Sequence, residues 1–517
     1  MMGSASSRSA SSLNNREFLR WFWRQLTSMR TALMLLLLLA LAAVPGSLFP
    51  QRSVDAQKVA NYFLAHPTSA PILDNIGLFA VYSSPWFSAI YLLVMVSLVG
   101  CIIPRVGVYA RALRARPPKA PKNFSRMSAS ASFETEESVS AVLAAGRQAI
   151  GRARIDLGDG ELRAEKGYLR EAGNLVFHIC LLVVLVGVAS GMLWGYRGGA
   201  IVTEGSGFSN SLTQYDEFSS GALFDASDLP PFSLALENFT AKFQLKGPQR
   251  GAPRLFEATG TYVEQPGAKE KPFSIEVNHP LEIDGTSIFL VGQGYAPVIK
   301  VTDADGNVAF SGAVPFLPSD ATYTSTGVVK VPDAQPEQLG FQGFFLPTAV
   351  SVGDKAPVSA FPAAANPLLG LFAYHGDLGL DEGVPQSVYV LDKDKLTQFQ
   401  TDDAKALRLS LSPGQTADLP DGSTLEFVRL SQFTKLQFSS TPMIQVPLWG
   451  ISLGVLGLMM SLAIKPRRTW IRARQEGSRT LVEVAALDRV SRDDLPTELG
   501  DLVERLQSAL ARQKDDA

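Results

Sequence analysis

One imidazole stands where chemistry is costly to place. The stretch REAGNLVFHICLLVVLVGVASGMLW, residues 170–194, opens on the charged pair Arg170 and Glu171 and then runs apolar to Trp194, interrupted by one basic side chain, His178. An ionisable side chain inside a bilayer costs free energy unless it is partnered, so it marks a function by default. Imidazole offers three chemistries there: axial ligation of haem iron, a proton relay, or ligation of another metal. The competing reading is a hydrogen bond to a serine or a backbone carbonyl of a neighbouring helix. A metal cage needs further ligands, and the apolar stretches supply no second histidine, no acid and only Cys101 and Cys180, in separate segments. A proton wire usually needs a chain of carboxylates, and the stretches contain none. A haem needs one protein ligand per axial face, so a haem at His178 would take its opposite ligand from another subunit. The second ring nitrogen of a neutral His178 needs an acceptor that fixes the tautomer. Asn174, one turn earlier on the same helix face, suits placing the ring or a haem propionate. Arg170, near the boundary, suits pairing with a propionate. Both residue types are also ordinary at the edge of a span.

The elements that must position this histidine are read from the apolar pattern. Of 517 residues, 46% are hydrophobic, and they are concentrated in four stretches. These are ALMLLLLLALAAVPGSLF (32–49), PWFSAIYLLVMVSLVGCII (85–103), the histidine segment from Gly173, and MIQVPLWGISLGVLGLMMSLAI (443–464). None contains Asp, Glu, Lys or Arg, and each approaches the roughly 20 residues a bilayer demands. A soluble helix of this length would carry a polar face, so the pattern predicts a membrane protein. The first stretch exceeds the h-region of a cleavable signal and follows about thirty residues, so it is read as a retained span. Arginines and lysines flank the first span on its N-terminal side, the second on its C-terminal side, the third on its N-terminal side and the fourth on its C-terminal side. The positive-inside rule then places both termini and residues 104–172 in the cytoplasm, and residues 50–84 and 195–442 outside the plasma membrane.

The expected order is a cytoplasmic tail with an interfacial amphipathic helix (1–30, its first fifteen residues Ser-rich and disordered), a span (31–49), an outer loop (50–84), a second span (85–103) and a cytoplasmic module (104–172). A third span (173–194), an outer domain (195–442), a fourth span (443–464) and a cytoplasmic tail (465–517) complete it. In the module, SASASFE alternates like a strand, EESVSAVLAAGRQAI reads as a helix, and RARIDLGDGELRAEKGYLRE as a hairpin, giving β-α-β-β. The outer domain offers many short alternating runs, among them FSLALENFTAKFQL, FEATGTYVE, TSIFLVGQGYAPVIKVTDADG, QSVYVLD and STLEFVRL, which predict antiparallel sheets in a sandwich or barrel. In the tail, Leu495, Leu499, Leu502 and Leu506 fall at helical spacing and predict an amphipathic helix docked on the cytoplasmic module. The fold class is therefore an α+β membrane protein: four transmembrane helices, a large extracytoplasmic antiparallel β-rich, sandwich-like domain and a small cytoplasmic α/β module.

Other chemistry is thin. The formal net charge of −2 names no partner, and the acidic outer domain is not drawn to nucleic acid. No cysteine lies in that domain, so neither a disulfide framework nor a thiol oxidoreductase motif is present there. His66, His279 and His375 fall in loops or turns, and no role is assigned to them. No phosphate loop, nucleophile elbow or zinc-protease motif occurs, and no catalytic residue is nominated.

The ordered set LRWFWRQLTSMRTALMLLLLLALAAVPGSLFPQ, VYSSPWFSAIYLLVMVSLVGCIIPR, KGYLREAGNLVFHICLLVVLVG, VNHPLEIDGTSIFLVGQGYAP, GDLGLDEGVPQSVYVLD and RRTWIRARQ resembles the ResB (CcsB) family of system II cytochrome c maturation. The resemblance spans nearly the whole chain. It implies a haem-handling subunit that acts with a ResC/CcsA-like multi-span protein to move haem outward and present it to apocytochrome c. It implies that His178 is an axial ligand of a haem b shared with that partner, and a thioredoxin-like thiol reductant as a further partner. Trp is scattered here, so the chain looks like the partner half of a haem lyase complex and not a fused synthetase. A receptor whose outer domain recognises a ligand, with His178 structural, is the alternative.

Overall fold

The structure is a computed structural model that describes residues 15–54, 56–127, 129–351, 356–380, 387–401, 403–488 and 495–515. The Ser-rich stretch expected to be disordered lies almost wholly outside the described residues. The chain divides into two compact units, Met1–Val188 with Ile444–Ala517, and Ala189–Met443.

Among the described residues, four helices are long and apolar enough to cross a bilayer: α2 (Met29–Leu48), α5 (Pro85–Arg114), α7 (Leu169–Trp194) and α8 (Gln445–Ala463). They make this a membrane protein, with apolar side chains turned outward along each helix. The interfacial segment forms α1 (Asn15–Leu26), whose Phe18, Trp21, Phe22 and Trp23 are exposed. Ser28 caps α2 by accepting from the Thr31 N–H at 3.2 Å. Helix α5 is tied to the turn between α1 and α2 through polar groups. Ser97 Oγ donates to the Leu26 carbonyl (2.6 Å) and Cys101 Sγ to the Thr27 carbonyl (2.8 Å). The residues between these helices form α3 (Ala56–Ala65) and α4 (Ala70–Asn75) over a small core of Val59, Ala70 and Phe79.

Helix α5 outruns its apolar stretch. Proline normally ends a helix, yet α5 continues past Pro104 to Arg114. Its last carbonyls are satisfied from outside: Arg154 donates to the Leu113 and Ala115 carbonyls at 2.7 and 2.8 Å. A cation at a helix C-terminus also complements the dipole.

Helices α7 and α8 meet along a stripe of small residues. Gly450, Gly454, Gly457 and Ser461 are buried on one face of α8. A Cβ on Gly173 would come within 2.6 Å of the Gly457 carbonyl oxygen, and one on Gly450 within 2.7 Å of Val184 Cγ2. Backbones this close gain dispersion contacts in a medium where apolar burial drives nothing.

Beside these helices lies a five-stranded antiparallel sheet, ordered Ala129–Thr135, Arg479–Asp488, Arg467–Glu476, Glu161–Lys166, Arg154–Gly158. The expected strand, helix and hairpin are present, with α6 (Val139–Ile150) as the helix. The tail departs from its expectation. Beyond contributing α9 (Leu495–Asp515), it supplies the two strands that separate the N-terminal ones. Helices α6 and α9 cover one face through Val142, Ala145, Leu499, Leu502 and Leu506 against Leu162, Ile471 and Val484. The segment after α5 is tied to the other face, where Trp470 Nε1 donates to the Pro118 carbonyl (2.9 Å) and Arg472 to those of Pro121 and Lys122 (2.7 and 3.2 Å).

The second unit is antiparallel β throughout its main sheets. Its spine is a pair of 17-residue strands, Thr286–Thr302 and Thr424–Ser440, matched from Ser287↔Ser439 to Thr302↔Thr424. Bulges at Leu290/Gly292 and Val298/Ile299 let the ladder bend. At one end the spine encloses a core of Phe208, Phe232, Leu236, Ile275, Ile288 and Phe438 with the sheet built on Ser233–Phe243 and Pro253–Val263. At the other end it encloses Ile299, Val301, Phe341, Phe345, Leu371 and Phe427 with the sheet built on Ser325–Val331, Leu339–Leu346 and Leu368–Gly376. The described part of the run QSVYVLD, residues 387–392, is not a strand: Val388 and Tyr389 form a turn, with Val388 and Val390 exposed. Alternation alone misled here, because the run has no partner strand to give it a buried face.

Candidate functional site

The sequence of α7 forces His178 into a helix whose apolar neighbours offer no side-chain partner. Its ring therefore turns back onto its own backbone. Nδ1 lies 2.7 Å from the Asn174 carbonyl oxygen. A carbonyl only accepts, so Nδ1 carries the hydrogen and donates. In the neutral ring this places the lone pair on Nε2, which has no hydrogen-bond partner among the described residues. The rings of Tyr109 and Phe177 flank the imidazole, each 5.3 Å away between centroids. The bond is within α7, so the helix–helix alternative for His178 is not what the structure shows.

Asn174 takes a divided role. Its backbone carbonyl fixes the imidazole, while its side-chain Oδ1 accepts from Ser461 Oγ of α8 at 3.0 Å. The sequence signalled Asn174 but not Ser461, whose only signal is its place in the small-residue stripe of α8. Tyr109 was also missed, since it lies beyond the apolar stretch on the extension of α5.

Arg170 is half-buried in the first turn of α7 and makes no ion pair among the described residues. It lines a cavity of 620 Å³ with Tyr109, Arg116, Glu165, Asn174 and Arg468. Of these charges, Arg468 pairs with Glu165 at 3.0 Å, and Arg116 lies 3.9 Å from Asp156. Gly167 closes one wall at φ +75°, where an added Cβ would sit 2.5 Å from the Lys465 carbonyl oxygen. Nearby Lys166 has its pKa lowered from the usual lysine value by burial, reinforced by Arg505 and Arg467.

No three His, Cys, Asp or Glu side chains gather into a metal-holding group among the described residues. The donor set at His178 is one neutral imidazole nitrogen between aromatic rings. That fits an iron whose equatorial positions a porphyrin fills, and it does not fit a bare-ion cage. The other histidines have different surroundings. The His66 ring lies against Tyr62, 4.5 Å between centroids and tilted by 47°, and His279 closes a tight turn with Glu276. His375 Nδ1 donates to Glu337 Oε2 at 2.6 Å over the Phe399 ring. Both cysteines are free thiols: Cys101 donates to the Thr27 carbonyl, and Cys180 lies opposite Gly454.

The ResB-like family pattern matches residues 29–500. Among similar proteins, the cytochrome c biogenesis protein CcsB of Trichormus variabilis is 26% identical over 296 residues, 56% of this chain and 61% of its own length. That of a Synechococcus strain is 24% identical over 314 residues, 57% and 64% of the two lengths. That of Picosynechococcus is 26% identical over 402 residues, 71% and 81%. The chain thus spans somewhat under two thirds of the first two relatives.

Proposed function

Because this chain belongs to the ResB-like family, we propose that it works in cytochrome c biogenesis as the subunit that holds haem within the membrane for transfer to apocytochrome c. Haem here is cargo. The observation that carries this reading is the His178 Nδ1 bond to the Asn174 carbonyl, which leaves Nε2 as the nitrogen free to ligate. A backbone acceptor on one imidazole nitrogen orients the ring and raises the basicity of the other. Tyr109 and Phe177 confine the ring laterally. The opposite axial ligand comes from a second, ResC/CcsA-like multi-span subunit. The positive flanks favour both termini and the five-stranded sheet on the cytoplasmic side, with residues 195–442 outside the plasma membrane. There the β-rich unit stands as a surface for apocytochrome and its thiol reductant. No covalent step is assigned to this chain.

The test is haem absorption in the purified two-subunit complex. His178→Ala is expected to lose bound haem or its ligand-field signature, and added imidazole to restore it. Haem content and spectrum equal to those of the unsubstituted complex would overturn the assignment.

A further inference from the structure

We infer that the 620 Å³ cavity between the end of α5, the start of α7 and the Pro466–Arg468 segment is a capture site for the carboxylates of a porphyrin, occupied before ligation at His178. Porphyrin as the ligand class rests on the reading of His178 given above; the cavity and its charge do not. Its volume falls within the roughly 300–1,000 Å³ of ordinary ligand clefts. Arg116, Arg170 and Arg468 line it against Glu165 and Glu171. Arg468 is committed to Glu165, and Arg116 reaches toward Asp156. Arg170 remains as the half-buried guanidinium with no ion pair among the described residues. A planar fork of donors in a partly desolvated cleft suits a carboxylate better than any other common anion except phosphate.

Two lining residues link the cavity to the imidazole. Asn174 lines it and accepts the His178 Nδ1–H, and Tyr109 lines it and lies against the His178 ring. A molecule whose carboxylates rest on Arg170 therefore has its apolar body next to the histidine. The walls are held in place. Arg154 ties down the end of α5, the Arg468–Glu165 pair ties the tail to the hairpin, and Gly167 admits the Lys465 backbone.

Metal-free protoporphyrin separates capture from ligation, because it has the carboxylates and no iron. Its fluorescence is titrated against the full-length chain in nanodiscs. Arg170→Gln is expected to raise Kd about tenfold, the scale of one lost charge-assisted bond, and Arg170→Lys to recover most of it. The dimethyl ester of protoporphyrin is expected to bind the unsubstituted chain as weakly as the free acid binds Arg170→Gln. His178→Ala is expected to leave metal-free binding within twofold. Equal affinity of the unsubstituted chain and Arg170→Gln overturns the capture site. So does loss of metal-free binding in His178→Ala, which would place the porphyrin at the ring alone. Inorganic phosphate competing at the affinity of the porphyrin also overturns it, in favour of a phosphate site. A haem spectrum unchanged in His178→Ala, with the Arg170 effect intact, removes the ligand assignment and leaves the capture site standing.

Discussion

At the residue scale, the imidazole, its anchoring carbonyl and the asparagine side chain have separable tasks. Asn174 gives His178 a backbone oxygen, which substitution preserves, and gives Ser461 a side-chain oxygen, which substitution removes. Asn174→Ala is therefore expected to keep the haem absorption spectrum while weakening the α7–α8 contact by about 0.6–2 kcal/mol, the range for a hydrogen bond between membrane helices. Ser461→Ala is expected to match it, and the double variant to cost no more than either alone. Unfolding titrations in detergent measure both quantities. A haem spectrum altered by Asn174→Ala would show that the side chain, and not the carbonyl, sets the ring. His178 was legible in sequence because a lone ionisable group in an uncharged stretch is conspicuous. Its tautomer was not, since that depends on which carbonyl the ring can reach.

At the element scale, the contact between α7 and α8 depends on the absence of side chains at particular positions. A Cβ on Gly457 would sit 2.9 Å from the Gly173 carbonyl oxygen and 3.0 Å from the Phe177 N–H nitrogen, both unyielding backbone. One on Gly454 would sit 3.3 Å from Cys180 Cβ, which can shift. Gly457→Val is thus expected to destabilise the pair by about 1–3 kcal/mol, and Gly454→Ala to be tolerated. Denaturation midpoints check the difference. The tail makes a stronger prediction. Removing residues from 466 onward takes out both strands between Ala129–Thr135 and Glu161–Lys166. The sheet is then expected to unfold, seen as rapid proteolysis of residues 115–166, while the α2–α5 contacts persist.

The four helices were readable because a bilayer tolerates so few sequences. The tail strands were not. RRTWIRARQE alternates as a strand should, but its arginines are also what a topology-setting flank requires. The same residues turn out to pair with Glu161, Glu165 and Asp488. A local window cannot reveal Glu161 and Glu165, which lie 311 and 303 residues from their arginines.

At the scale of the whole molecule, the β-rich unit has two hydrophobic cores on one spine. Phe427 belongs to one and Phe438 to the other, both fully buried and both on Thr424–Ser440. A strand cannot leave one core and keep its ladder intact in the other. Phe427→Ala and Phe438→Ala are each expected to cost about 3–5 kcal/mol and to raise amide exchange across both cores together. Exchange confined to the mutated core would show two independent folding units. Sequence alternation marked several strands of this unit, Ser233–Phe243 and Thr286–Thr302 among them, and misread QSVYVLD. It did not show that two of them run the length of both cores.

The order of strands in the five-stranded sheet also bears on biosynthesis. Ala129–Thr135 and the hairpin Arg154–Lys166 leave the ribosome early, with their partner edges open. Their partners emerge only after the whole β-rich unit and α8 have been made. Throughout that interval the nascent chain carries unpaired strand edges of the kind that invite aggregation. A chain that ends before Arg467 keeps those edges open and is expected to be cleared faster than the full chain in a pulse-chase measurement.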